Sequence, residues 1–236
     1  MLLFYVRHGE PIYEPDSLTE FGHQQADALV SRMKVCCPSK IFASSSNRAM
    51  LTAKPTSDAL GIEMEVLDWC HEAHAAATFW YRDDAGSSWM FAHPTTKRLL
   101  ASNEIRALDR EWYKHPFFAE KMPHLKQGID RIQNETDAFM LSLGYRHTEN
   151  GYVAERPNND RVALFAHQGF GLAFLSALLD IPYPMMSLRF DMGHSGMTVI
   201  EFRGDGFVVP KVLQLSNDSH IFASDLKTVY NGYIEF

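Results

Sequence analysis

Cysteine is scarce: the 236 residues contain three, two of them adjacent at Cys36 and Cys37. That number and spacing make no disulfide framework and suit a reducing compartment, so a cytoplasmic location is expected. Long apolar runs are also missing. Nothing approaches the roughly 20 residues of a membrane span, and the apolar opening stretch is too short for a secretory signal and is interrupted by Arg7. Basic blocks are absent as well, since 22 Lys and Arg face 29 Asp and Glu for a net charge of −7. This balance argues against a general nucleic-acid or membrane-surface binder and confines any positive field to a local pocket. With no internal repeat or low-complexity tract, one α/β domain over residues 1–236 is expected.

Two short hydrophobic runs carry most of the information. Leu2 to Val6 has no polar alternation, which reads as a strand buried on both faces of a parallel sheet, and it ends in Arg7-His8-Gly9-Glu10. Val162 to Ala166 is a second such run, ended by His167-Gln168-Gly169 and followed by an apolar helix from Leu172 to Leu179. Side chains released at the carboxyl ends of such strands line the crevice where open α/β sheets bind ligands. If the two strands are parallel, both histidines leave one sheet edge, separated by little more than the strand spacing of about 5 Å. A lone Arg-His pair would be an ordinary surface feature. Two facing histidines beside an arginine point to an anion held next to a nucleophile. Ile41 to Ala43 reads as another strand, and Ser44 to Asn47 as a polar turn into a helix. Arg48 falls in the first turn of that helix, where free backbone N–H groups already favour an anion.

These motifs, together with Leu18-Thr19-Glu20-Phe21-Gly22, Gln25-Ala26 and Thr52-Ala53, resemble those of the histidine phosphatase superfamily, the group with phosphoglycerate mutase-like folds. The matches cover the first sixty-odd residues and again about 161 to 202. The resemblance implies a three-layer αβα sandwich with a mostly parallel sheet. It also implies a histidine acid phosphatase-type hydrolase that needs no metal or cofactor and acts on a small phosphate ester. His8 would be the nucleophile, passing through a phosphohistidine, with Arg7, Arg48 and His167 as clamps on the phosphate oxygens. Gln168 and His194 are further candidates for substrate contact. The family's proton donor follows the third strand, expected here within Glu65 to Asp68. Glu72, in the loop beyond it and desolvated by Trp69 and nearby alanines, is the choice, with Asp68 as the alternative.

The chain also departs from the family pattern. Glu14 stands where many members place a phosphate-contacting asparagine, Pro11 replaces a serine or threonine, and Leu51 replaces a glutamine. A carboxylate at 14 would repel phosphate unless turned away, so the loop from Pro11 to Ser17 should follow another path. Glycolytic mutases resembling this fold follow their acid with Arg, Tyr and Gly; here Ala73, His74 and Ala75 follow Glu72. Water is therefore the expected acceptor. A phosphomutase and a catalytically idle phosphate- or phosphoprotein-binding module are the alternatives.

Residues 75–127 are rich in aromatics, including Trp80, Trp89 and Trp112, and are expected to form a cap insertion over the pocket. These rings either build the cap's own core or stack on substrate, and exposed ones would suit a homodimer. Ile129 to Leu143 has the spacing of a helix with one apolar face. Met197 to Phe202 and Phe207 to Leu215 read as paired strands joined around Gly204-Asp205-Gly206. His71-Glu72-Ala73-His74 lacks the four-residue histidine spacing of a zinc protease motif.

Overall fold

A computed structural model describes residues 1–231 and 234–235. Its first strand, β1 (Leu2–Arg7), shows why the opening run needs no polar alternation. Phe4 and Val6 pack on one face with Leu29 and Met33 of helix α1 (Glu20–Cys36). Leu3 and Tyr5 point the other way, into a larger core. Both faces are covered, so every position must be apolar.

The rest of the sheet extends from β1. Strand β2 (Lys40–Ser44), helix α2 (Asn47–Leu60) and strand β3 (Met64–Leu67) follow α1. Next come helix α3 (Glu72–Phe79) and a hairpin of β4 (Trp80–Asp83) and β5 (Gly86–Trp89). Helix α4 (Leu125–Ser142) leads into the hairpin β6 (Tyr145–Thr148) and β7 (Gly151–Ala154). Strand β8 (Arg161–Ala166), helix α5 (Gln168–Leu178), and strands β9 (Met197–Glu201) and β10 (Lys211–Asn217) complete the frame. The sheet order is β10-β9-β1-β8-β2-β3. The pairs β1–β8, β8–β2 and β2–β3 are parallel; β9 runs antiparallel to both its neighbours. Helices α1 and α2 lie on one face, α4 and α5 on the other, giving three layers.

Register is what matters for the site. Arg7 is paired with Ala166, so the residues just beyond, His8 and His167, leave adjacent strands at the same level. Helix starts are tied down locally. Thr19 Oγ1 accepts from Gly22 N at 2.9 Å, and Ser46 caps α2. Gly9 and Gly22 let loop and helix backbones touch: a Cβ on Gly9 would meet the Gly22 carbonyl, and one on Gly22 the Glu10 carbonyl.

The C-terminal strands differ from the sequence expectation. Lys211–Asn217 pairs with Met197–Glu201, but Phe207–Val208 leaves that ladder and pairs with β7. Gly204 and Gly206 both have positive φ, which turns the chain out of the sheet. Pro210, lacking an N–H, then separates the two short strands.

The aromatic-rich segment forms the β4–β5 hairpin and four short helical turns between Pro94 and Lys121. Trp112 and Phe118 are buried in the same core as Phe79 and Tyr183, and the Phe79 and Tyr183 rings stack at 4.1 Å. Residues 75–79 belong to α3, so the segment's own elements begin at Trp80. Among the described residues, no helix is long and apolar enough to cross a membrane.

Candidate active site

The parallel register delivers His8 and His167 with ring centroids 5.2 Å apart. His8 N donates to the Ala166 carbonyl at 2.9 Å, extending the ladder one residue beyond the strands. The His8 ring has a fixed orientation. Its Nδ1 lies 2.7 Å from the Gly9 carbonyl, which can only accept, so Nδ1 carries the proton. Nε2 keeps its lone pair, and no hydrogen bond engages it among the described residues. Burial, then Arg7 and His167, holds the His8 pKa well below the ordinary histidine value.

His167 is equally enclosed. Its Nδ1 accepts from Arg48 Nη2 at 3.2 Å, leaving Nε2 to donate to Ser44 Oγ at 2.8 Å. Burial, then Arg48, holds it neutral as well. Tyr5 anchors the turn behind it: the phenol donates to the His167 carbonyl at 2.5 Å and accepts from the His167 amide at 3.2 Å. In this state His167 is a neutral ring; only an arriving anion would raise its proton affinity.

Two guanidinium groups flank the rings. Arg48 is buried at the start of α2, its Nη1 2.8 Å from Asp16 Oδ1. Arg7 donates to the Met192 carbonyl, to Asn231 Oδ1 at 2.7 Å and to His194 Nε2 at 2.7 Å. Burial, then the charge of Arg7, pushes the His194 pKa down to about 3, so it too is neutral. The Nε groups of both arginines are buried without an acceptor among the described residues. Donors left unpaired at this depth are costly unless an anion supplies oxygen acceptors.

Glu72 sits opposite, but not in a loop as its sequence context suggested. It is the first residue of α3, whose cap is the His71 ring. Its carboxylate spans the first turn of α5, accepting from Gly169 N at 2.9 Å and Phe170 N at 3.2 Å. Burial raises its pKa, and those amides, with Arg7 between them in size, partly offset the rise. The ring set against it is Trp89, not Trp69, which packs on Phe139, Phe170 and Phe174. Asp68 is exposed, bonded to Ser45 and His74, and its pKa is lowered, chiefly by the Ser45 hydroxyl. A carboxylate stabilised in its ionised form is poorly suited to donate a proton.

The structure therefore brings Arg7, His8, Arg48, Glu72, His167 and His194 together in one cluster. Gln168 borders it, with its amide turned onto Asp191. Glu14 is exposed, on a loop between two short paired strands, Pro11–Ile12 and Ser17–Leu18. Sequence reasoning missed Asp16, which holds Arg48, and Tyr13, whose ring lies 5.5 Å from the Arg48 guanidinium. It also missed Asn231. Nothing in these isolated polar residues marks them; only the folded loop and C-terminal segment bring them near. Among the described residues, no group of three or more His, Cys, Asp or Glu is arranged to hold a metal ion.

Residues 3–78 match the model of the histidine phosphatase superfamily, branch 1. The fold is similar to a phosphoserine phosphatase mutant from Entamoeba histolytica in complex with phosphoserine: TM-score 0.57, 18% identity, 93% of this chain and 98% of that one covered. It is also similar to a mycobacterial glucosyl-3-phosphoglycerate phosphatase in complex with VO3, at TM-score 0.57 and 19% identity, covering 91% and 98%. No match was found among functionally curated proteins.

Proposed function

We propose that this chain, a histidine phosphatase superfamily protein, is a phosphatase that removes phosphate from a small phosphomonoester by way of a phosphohistidine. The observation that carries this reading is the His8 ring, with its proton fixed on Nδ1, set 5.2 Å from the His167 ring in a buried cluster that also holds Arg7 and Arg48.

In the first step His8 Nε2 attacks phosphorus, forming a P–N bond as the P–O bond to the leaving group breaks. Charge on the three equatorial oxygens is met by Arg7, Arg48 and the His167 ring, so positioned cations do the main work. The departing oxygen takes the proton from Glu72, whose raised pKa keeps it a usable acid. In the second step the Glu72 carboxylate takes a proton from water as that water attacks phosphorus. The P–N bond breaks, inorganic phosphate leaves, and His8 returns to its neutral form. The similar structures named for phosphoserine and glucosyl-3-phosphoglycerate phosphatases support this reading.

The test is phosphate release from 4-nitrophenyl phosphate by the wild type and by His8→Ala. Loss of the nucleophile is expected to remove activity by about four orders of magnitude or more. Equal turnover by both proteins would reject the assignment of His8.

A further inference from the structure

We propose that Trp89 and Trp80 form an indole wall that selects an aromatic leaving group, an inference that rests on the phosphatase reading of the same crevice. Trp89 lies beside Glu72 at the start of α5. A Cβ added at Gly169 would collide with both the Trp89 ring and Glu72 Oε1, so the indole edge and the carboxylate are neighbours over the first turn of α5. Gly169 has no positive φ, so the glycine serves close approach. Trp80 is paired with Trp89 across the β4–β5 hairpin, with ring centres 5.9 Å apart and planes at 63°.

The wall is held from both ends. Phe91 stacks on Trp89 at 5.7 Å, and Trp80 Nε1 donates to Ser87 Oγ at 2.7 Å. Trp80 is nevertheless 44% exposed, whereas Trp112 of the same segment is fully buried. A solvent-facing indole paired with a ring beside the acid is not core packing. The oxygen leaving phosphorus must lie near Glu72, and whatever it carries extends along the surface beside that carboxylate. The Trp89 ring is part of that surface, and Trp80 extends it across the hairpin. Aromatic rings meeting edge-to-face or offset gain attraction beyond the area they bury.

The test compares kcat/KM for 2-phenylethyl phosphate, n-propyl phosphate and O-phosphoserine, alkyl esters chosen to limit differences in leaving-group basicity. The phenylethyl ester is expected to exceed the propyl ester about tenfold. Trp80→Ala should collapse that ratio, mainly through KM, while its thermal midpoint shows that it folds. Equal values for phenylethyl and propyl esters, a preference for phosphoserine, or a Trp80→Ala variant that keeps the ratio would each overturn the wall. In those cases continued phosphate release, lost in His8→Ala, leaves the phosphatase reading standing. Release from none of the esters would instead reject that reading. The wall is then decided by the Kd ratio of 2-phenylethyl- and propylphosphonate, equal affinities overturning it.

Discussion

His167 and His147 are both largely shielded from solvent, yet the protein holds them in opposite states. His147 lies between carboxylates, with Nδ1 3.0 Å from Asp137 and Nε2 3.1 Å from Asp180, and these hydrogen bonds raise its pKa to about 9. His167 receives a guanidinium N–H instead, and burial with that neighbour keeps it neutral. Glu72 Oε2 is 3.8 Å from His167, the far limit of an ion pair, and its own carboxyl is pushed toward the neutral form. The first arrangement is closed: charges balance, Arg110 adds a bond to Asp180, and nothing further is required. The second is open, with two buried arginine Nε groups lacking acceptors among the described residues. Charge left unbalanced around a neutral ring is what distinguishes a site for an anion from a structural ion pair.

The largest effect that would sharpen this contrast is expected from Glu72→Gln. Turnover of alkyl phosphates should fall about 10²–10⁴-fold, the range of a positioned general acid. The first half-reaction with 4-nitrophenyl phosphate should lose much less, because that leaving group needs no proton. Wild-type kcat/KM on alkyl esters should also decline as pH rises through the raised pKa of Glu72, and the variant should lack that decline. An alkaline limb unchanged in the variant would assign the acid elsewhere.

A smaller effect separates the two histidine environments by stability. The pKa of His147 is raised on folding, so its contribution is complete below pH 6.5 and is lost as pH climbs through about 9. Allowing for solvent screening, roughly 1–2 kcal/mol should disappear across that window. His8 and His167 have lowered pKa values, so their contribution is present above pH 6.5 and is lost as pH falls below it. Denaturant unfolding of the wild type and His147→Gln between pH 6 and 10 checks this. The variant should be flat where the wild type declines, and parallel curves would show that His147 carries no such charge.

Much of this molecule can be read from its chain because the strands that place the site are continuous apolar runs. Leu2 to Val6 and Val162 to Ala166 could pack only as strands covered on both faces, and their ends deliver Arg7, His8 and His167. Arg48 was legible through the polar turn before α2. Glu72 was legible by placement after β3, but its helical position was not, since its cap is an unusual one, the His71 ring. Trp89 could not be placed because aromatics spaced along a loop-rich segment have no period to say which ring turns inward. The Phe207 strand was misread for a related reason: alternation marks strands without naming their partners, and here the partner is β7.

The most direct measurement is mass spectrometry of Glu72→Gln after mixing with 4-nitrophenyl phosphate and alkaline quenching, which preserves phosphoramidates. One phosphoryl group is expected on His8, attached at Nε2, and none in a protein that also carries His8→Ala. Steady turnover by wild type and variant with no phosphorylated protein, or phosphate found on another residue, would contradict it.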